Sequence, residues 1–397
     1  MTAGFLHTHR SLLRAGFALA HVFAWIFVFE YFALLSGSLS RALMAVALLY
    51  ALTQLITIVA TPMSAAHLRR GVKHSLVWGT VFAAGSFVYL GATLGGFFSG
   101  DAASLEFGWG FVVFAVLLGM YRALYWIPYK LVEAETPSPH LHMRGYIEVL
   151  IALMPLFAGI TIVSTQFAYL HILFGASALT MLSLLPALFL KDTRERFSWS
   201  YSHTFKQLFR GKNHGFVLSS LLEGLQGAAL FLAWPIAIFI IVGGSYFDLG
   251  FIFTITLLSI LILRHVYRWL VRRFALENSG TIETIVSVSG WIGRLAAGTP
   301  VGIIVADSFS YTTKPEGSVR FDPFAFEQVG DRGSFVDEYT ALKEIGLAMG
   351  RIMLCLIIFF LPTIFPLAVV LTIVLLIAAV ASGIAALLAR RLPATAY

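Results

Sequence analysis

Gly110-Phe-Val-Val-Phe-Ala-Val-Leu-Leu-Gly-Met-Tyr-Arg122-Ala-Leu-Tyr-Trp-Ile-Pro128 is an apolar run broken by a single charge. A stretch of about 20 apolar residues is what an α-helix needs to cross the hydrocarbon of a bilayer. A charged group near the middle of such a helix costs about 2.5–3.5 kcal/mol on insertion scales, so it faces protein or water and not lipid. Arginine stays charged when buried, so Arg122 needs a carboxylate or binds an anion. The run closes on Lys130, and basic residues just outside a span mark its cytoplasmic end.

The same pattern recurs along the chain. Of 397 residues, 59% are hydrophobic and 12% charged, against about 25% charged in soluble domains. Spans are expected at 14–36, 42–62, 75–98, 107–130, 144–165, 168–190, 215–242, 247–264, 279–297, 299–326, 341–361 and 366–389. The net charge of +7 belongs to cytoplasmic loops facing anionic lipid and not to a nucleic-acid surface. Arg69, Arg70 and Lys73 follow the second span, and Lys130 and Arg144 bound the loop after the fourth. Lys191 to Lys212 follow the sixth, Arg264 to Arg273 the eighth, and Arg390 and Arg391 the last. The intervening loops at 99–106, 166–167, 243–246 and 362–365 carry no Lys or Arg, with Arg41 the one exception. Both termini are therefore expected in the cytoplasm, with the protein in the inner (plasma) membrane and its first apolar stretch retained as a span.

The charge rule also decides the least apolar region. Between Glu277 and Glu338 only Thr281 to Val305 reads as a span, and it carries Glu283 and Arg294. One crossing there would move Arg390 and Arg391 outside, so two crossings are expected, the tenth span being short, broken or partly unwound. The polar stretch from Ala306 to Gly317 fits that reading or a plain cytoplasmic loop.

The basic linker 191–214 divides the chain into an N-terminal bundle, 1–190, and a C-terminal bundle, 215–397, of six spans each. Its Phe197, Trp199, Tyr201, Phe205, Leu208 and Phe209 suit an amphipathic helix on the membrane face; a hinge suits the composition equally. The halves also share a weak repeat. Trp126-Ile-Pro-Tyr-Lys-Leu-Val-Glu resembles Phe321-Asp-Pro-Phe-Ala-Phe-Glu, and Tyr146-Ile-Glu-Val-Leu-Ile resembles Leu342-Lys-Glu-Ile-Gly-Leu. The fold class is thus all-α and polytopic, about twelve transmembrane helices in two pseudo-symmetric six-helix bundles.

Twelve spans, cytoplasmic termini, a basic central linker and a repeat resemble the major facilitator superfamily. Ile127-Pro-Tyr-Lys-Leu-Val-Glu-Ala-Glu-Thr-Pro, followed by Arg144-Gly-Tyr, is similar to the segment joining the fourth and fifth spans there, where a proline, an acidic residue and an Arg-Gly precede span five. The loop between spans two and three departs from the family pattern of a Gly, an Asp-Arg pair and a Gly-Arg-Arg run. Pro62 stands in place of the glycine and Ala66 in place of the aspartate, while Arg69, Arg70 and Lys73 keep the basic character of a gating loop. The resemblance implies a secondary transporter whose two halves rock about a midplane site. It also implies that spans one and seven pack across the pseudo-twofold axis, so that His21, Glu223 and Gln226 share a cavity.

Ionisable residues inside spans are the candidate substrate and coupling groups. Arg122 leads, as a charge anchor. Glu223, Asp307 and Glu30 are candidate coupling carboxylates, Glu30 also fitting a carboxylate that snorkels to the outer interface. Glu344 lies early in span eleven, where a helix dipole alone favours it, and shares a face with Arg351, a candidate partner of Asp307 or Glu283. A carboxylate held between desolvation and an arginine is poised to exchange a proton, which makes the proton the expected coupling ion. The expected partners are a small-molecule substrate, that ion and membrane lipid, with no nucleic acid and the chain a monomer. No P-loop, Gly-x-Ser-x-Gly or His-Glu-x-x-His motif occurs, and no cofactor, metal or enzymatic activity is expected. Two other readings stay open: a lipid- or glycan-handling membrane enzyme or scramblase using the acidic set at 307–331 (Asp307, Glu316, Asp322, Glu327, Asp331), and a transporter-fold sensor without flux.

Overall fold

A computed structural model describes residues 2–97, 106–135, 144–165, 167–193, 197–274, 279–312 and 336–391. The first half contains α1 (Thr2–Ser36), α2 (Leu39–His67), α3 (Val72–Leu94), α4 (Glu106–Glu135), α5 (Arg144–Ser164), α6 (Ala168–Leu182) and the short α7 (Leu184–Leu188). A linker helix, α8 (Tyr201–Leu208), leads to α9 (His214–Ala228) and α10 (Trp234–Ile241), which form one span joined by a π-helical turn over Ala229–Ala233. Then come α11 (Tyr246–Arg273), α12 (Ser279–Ala296), α13 (Pro300–Thr312), α14 (Val336–Phe360) and α15 (Leu367–Arg391).

The protein is an all-α, multi-pass membrane protein. Among the described residues ten helices are long and apolar enough to cross a membrane. The two that fall short are α12 and α13, with 18 and 13 residues. At 1.5 Å per residue α13 spans only about 20 Å, in keeping with a short tenth span; the rest of 299–326 lies outside the described residues. Several helices run past their expected ends, α1 and α11 furthest. α1 starts at Thr2, and α11 continues to Arg273 through the basic stretch, because hydropathy marks only the apolar part of a helix whose polar ends reach past the bilayer. α9 begins after a short 3₁₀ turn at Gly211–Asn213.

The pairing of helices shows the internal symmetry. In the first half α1 packs on α5 and α6, α2 on α4, and α3 on α4 and α6. In the second half α9 packs on α14 and α15, α11 on α13, and α12 on α13 and α15. These are the same pairs shifted by one repeat. The halves meet mainly through α2 with α14 and α5 with α11, pairs that the same shift exchanges. The second contact is close: a Cβ on Gly159 would lie 2.7 Å from the Tyr246 carbonyl oxygen, and one on Gly250 would collide with that of Pro155. Small residues at such crossings let backbones touch where lipid supplies no hydrophobic drive.

Candidate functional site

Midway along α2 the residues facing the protein are polar. Thr53, Gln54, Thr57 and Thr61 are all buried. The threonines satisfy themselves on their own helix, Thr57 and Thr61 donating to the carbonyls of Thr53 (2.9 Å) and Thr57 (2.6 Å). Gln54 is too long for that and reaches across the bundle. α4 approaches α2 at Gly119, where a Cβ would lie 2.6 Å from the Thr53 carbonyl oxygen, and this places Arg122, three residues later, beside Gln54. α14 approaches α9 at Gly350, where a Cβ would collide with the Leu221 carbonyl oxygen, and this turns Arg351 inward.

The result is one amide oxygen between two guanidinium groups. Gln54 Oε1 accepts from Arg122 Nη1 at 3.3 Å and from Arg351 Nη1 at 3.1 Å. Arg122 is 1% exposed and Arg351 0%. Arg122 also lies over the Tyr50 ring, 5.7 Å from its centroid, and Tyr50 packs edge-on against Trp25 of α1 at 5.1 Å. Both bonds to Gln54 are longer than the 2.7–2.9 Å usual when arginine meets a carboxylate. Among the described residues Arg351 Nε and Nη2 and Gln54 Nε2 have no hydrogen-bond partner.

A third buried arginine is treated differently. Arg294 of α12 donates from Nε to Asp307 Oδ1 of α13 at 2.6 Å, and Trp234 Nε1 donates to both oxygens of the same carboxylate, at 3.2 and 2.9 Å. The guanidinium also lies 4.6 Å from the Trp291 ring centroid and 5.4 Å from that of Tyr311. Trp234 follows the π-helical turn as the first residue of α10, and Pro235 comes next. A proline has no N–H for the preceding turn, and widening that turn accommodates its ring.

The halves are tied at both ends of the bundle. At the end where α1 finishes, Glu30 Oε2 accepts from Tyr169 at 3.0 Å and from Tyr246 at the start of α11. At the opposite, basic end the linker joins α14: Ser198 donates from its backbone N–H, at 3.0 Å, and from its hydroxyl to Glu338 Oε1. Beside that contact Ala65, Leu68, Val72 and Ile127 of the first half pack with Phe197 of the linker and Ala341 of α14. Within each half an ion pair ties the first helix to the fifth, with reversed polarity. Arg14 donates to Glu148 at 2.6 and 2.8 Å in one, and Lys343 faces Glu223 at 3.3 Å in the other.

Solved structures share this architecture from end to end. A POT-family transporter in complex with 5-aminolevulinic acid superposes with a TM-score of 0.62 at 12% identity, over 96% of this chain and 94% of that one. A D-xylose–proton symporter gives 0.60 at 14%, over 97% and 96%. A bacterial homologue of the iron transporter ferroportin, in its outward-facing state, gives 0.59 at 15%, over 98% and 99%. The chain has the major facilitator fold. No family model matches the sequence, and no curated protein matches it by sequence.

The remaining candidate residues take their places within this major facilitator fold. His21 of α1 packs between Phe17 and Phe231, at ring-centroid distances of 5.3 and 6.3 Å. Gln226 donates to the Leu222 carbonyl of its own helix at 3.3 Å, while Glu223 lies toward the basic end on Lys343. Glu344 is buried near the start of α14, 4% exposed. Arg351 meets Gln54, and Asp307 is taken by Arg294. In the α2–α3 loop Arg70 Nη1 lies 3.2 Å from His67 Nε2 and Arg69 is exposed; in the first turn of α3 Lys73 Nζ donates to the Leu188 carbonyl at 2.6 Å. Asp192, after α7, accepts from the Lys73 backbone N–H at 3.1 Å. It faces Gly71, whose φ is +131°, and caps the first turn of α3. Of the acidic set at 307–331 only Asp307 falls among the described residues, and the Glu283 side chain also lies outside them. Sequence reasoning missed Gln54, Lys343, Asp192 and Tyr246.

Proposed function

We propose that the protein is a secondary active transporter of the inner (plasma) membrane that moves a small molecule by alternating access. In this reading 1–190 and 215–397 rock as two units joined by 191–214, both termini are cytoplasmic, and the monomer is the working unit. The observation that carries it is Gln54 Oε1 held by two buried guanidinium groups from opposite halves. A cluster that polar, midway along its helices and on the seam between the halves, is where a substrate has access to either side in turn. The transporters that share the fold, among them a D-xylose–proton symporter, support the same class.

The ties at the two ends are then alternate gates. Opening toward the cytoplasm parts Ser198 from Glu338 and the apolar contact around Ile127 and Ala341. Opening the other way parts Tyr246 from Glu30. Glu30 is the proton site of this scheme. As a carboxylate it accepts charge-assisted hydrogen bonds from two tyrosines, and protonation weakens them, so proton uptake favours opening at that face. Arg294 and Asp307 serve as a fixed ion pair within the second half.

Cross-linking in proteoliposomes tests this. In a Cys355→Ala background, which removes the only native thiol, paired cysteines replace Glu30 and Tyr246, or Ser198 and Glu338. Either cross-link should stop counterflow exchange of a screened solute, which needs no proton gradient and so does not depend on the Glu30 carboxylate, and reduction should restore it. Uptake that continues with one end locked would remove alternating access from the account.

A further inference from the structure

We infer that Arg351 carries a binding edge for an oxyanion, a carboxylate or phosphate on the transported molecule, in a niche that Gly227 leaves open. The inference rests on reading the seam between the halves as the substrate site, and it names the chemistry that site recognises.

A guanidinium group binds a carboxylate best through two parallel N–H bonds, and one of its two such edges is formed by Nε and a terminal nitrogen. In Arg351 the other terminal nitrogen, Nη1, is engaged with Gln54. Nε and Nη2 make up the complete side edge, and among the described residues neither has a hydrogen-bond partner. Buried donors are nearly always satisfied, and a wholly buried arginine with two idle donors is a strong exception.

The space in front of that edge is kept clear by sequence. Gly227 of α9 faces it: a Cβ built there would lie 3.5 Å from Arg351 Nε and 3.9 Å from Nη2. Those are the only described atoms outside its own helix within 4 Å of that position. Any larger side chain at 227 would project into the place a bidentate oxyanion needs. Gln54 Nε2 is a third buried donor of the same cluster without a partner. Turning the amide over would set Nε2 against two guanidinium groups, so its oxygen must face them and its N–H groups stay on offer. The idle groups here are all donors, which suits an anion and no cation. Gln54 binds both halves, so an oxyanion beside it would draw α2, α9 and α14 onto one ligand.

The test is thermal melting of the purified full chain at constant ionic strength. The panel holds short mono- and dicarboxylates, inorganic phosphate, a soluble phosphate monoester, an anionic phospholipid, and neutral amides and sugars of matched size. At least one soluble oxyanion should raise the melting temperature by roughly 2–8 °C, while its amide does nothing. Gly227→Ala, whose added methyl meets Arg351 only at ordinary contact distance, should fold normally and lose the shift. Gln54→Glu sets a carboxylate beside Arg351, so it should raise the unliganded melting temperature and blunt the response. No shift from any soluble oxyanion, an equal shift from the neutral match, a shift from phospholipid alone, or a full response in Gly227→Ala would overturn the inference. Flux separates it from the transporter reading. An oxyanion that binds but is never exchanged across proteoliposomes leaves the niche and removes transport. Exchange of neutral solutes only leaves transport and removes the niche.

Discussion

Arg294 and Arg351 are both buried arginines of the second half, 3% and 0% exposed, and their surroundings are opposite. Arg294 meets a carboxylate at 2.6 Å, flanked by two aromatic faces, and the carboxylate is held in turn by Trp234. Arg351 meets a neutral amide at 3.1 Å that it shares with another arginine. The first charge is neutralised inside its own half. The second is left uncompensated among the described residues and stands on the seam between halves. A matched pair holds helices together; an unmatched charge is kept at a cost to stability, and such costs concentrate where a protein binds something.

Substitutions can break or sharpen that contrast. The largest effect expected is from Arg294→Gln, which strands Asp307 in the interior and should cost about 3–5 kcal/mol in equilibrium unfolding from lipid–detergent micelles. A loss below 1 kcal/mol would mean the pair is not the brace described. Combining it with Asp307→Asn should restore most of that loss, a coupling of about 2–3 kcal/mol in a double-mutant cycle; additive losses would show that the two side chains act separately. A smaller step comes from Tyr246→Phe, which removes one bond between the halves and should cost about 0.6 kcal/mol, the usual value for a hydrogen bond between membrane helices. It should also speed labelling of cysteines placed behind that gate, and unchanged labelling would remove Glu30–Tyr246 as a gate. Least of all, Glu223→Gln should change stability by under about 1 kcal/mol, because the Glu223 side chain is 31% exposed and its pairing with Lys343 is screened. A large loss there would show that exposure does not separate the two kinds of pair.

How much of this was legible in the sequence follows from what each feature costs. Lipid forbids exposed charge, so the spans and the isolated Arg122, Arg351 and Asp307 stood out against apolar runs. The amide of Gln54 carries no charge and sits among Thr, Leu and Ala, so nothing local marked it. Its role appears only when α2 and α14, 297 positions apart at this contact, are packed together. The sequence offers Arg351 as a partner for Asp307, and only the packing of α12 on α13 brings Arg294 there instead. The early start of α1 was hidden because its first turns are polar, and their anchors, Glu133 for Arg10 and Glu148 for Arg14, lie on other helices. Asp192 escaped notice because its partner is a backbone N–H that becomes available only once α3 has a first turn.

The contrast between the two arginines is tested most directly by melting Arg294→Gln and Arg351→Gln side by side, without added ligand. Arg294→Gln should melt well below the parent protein, and Arg351→Gln at the same temperature or a few degrees above it, about 2–4 °C per kcal/mol, because among the described residues no carboxylate pairs with its charge. If both variants fall by the same amount, Arg351 is a structural residue like Arg294, and the seam between the halves loses its claim to be the binding site.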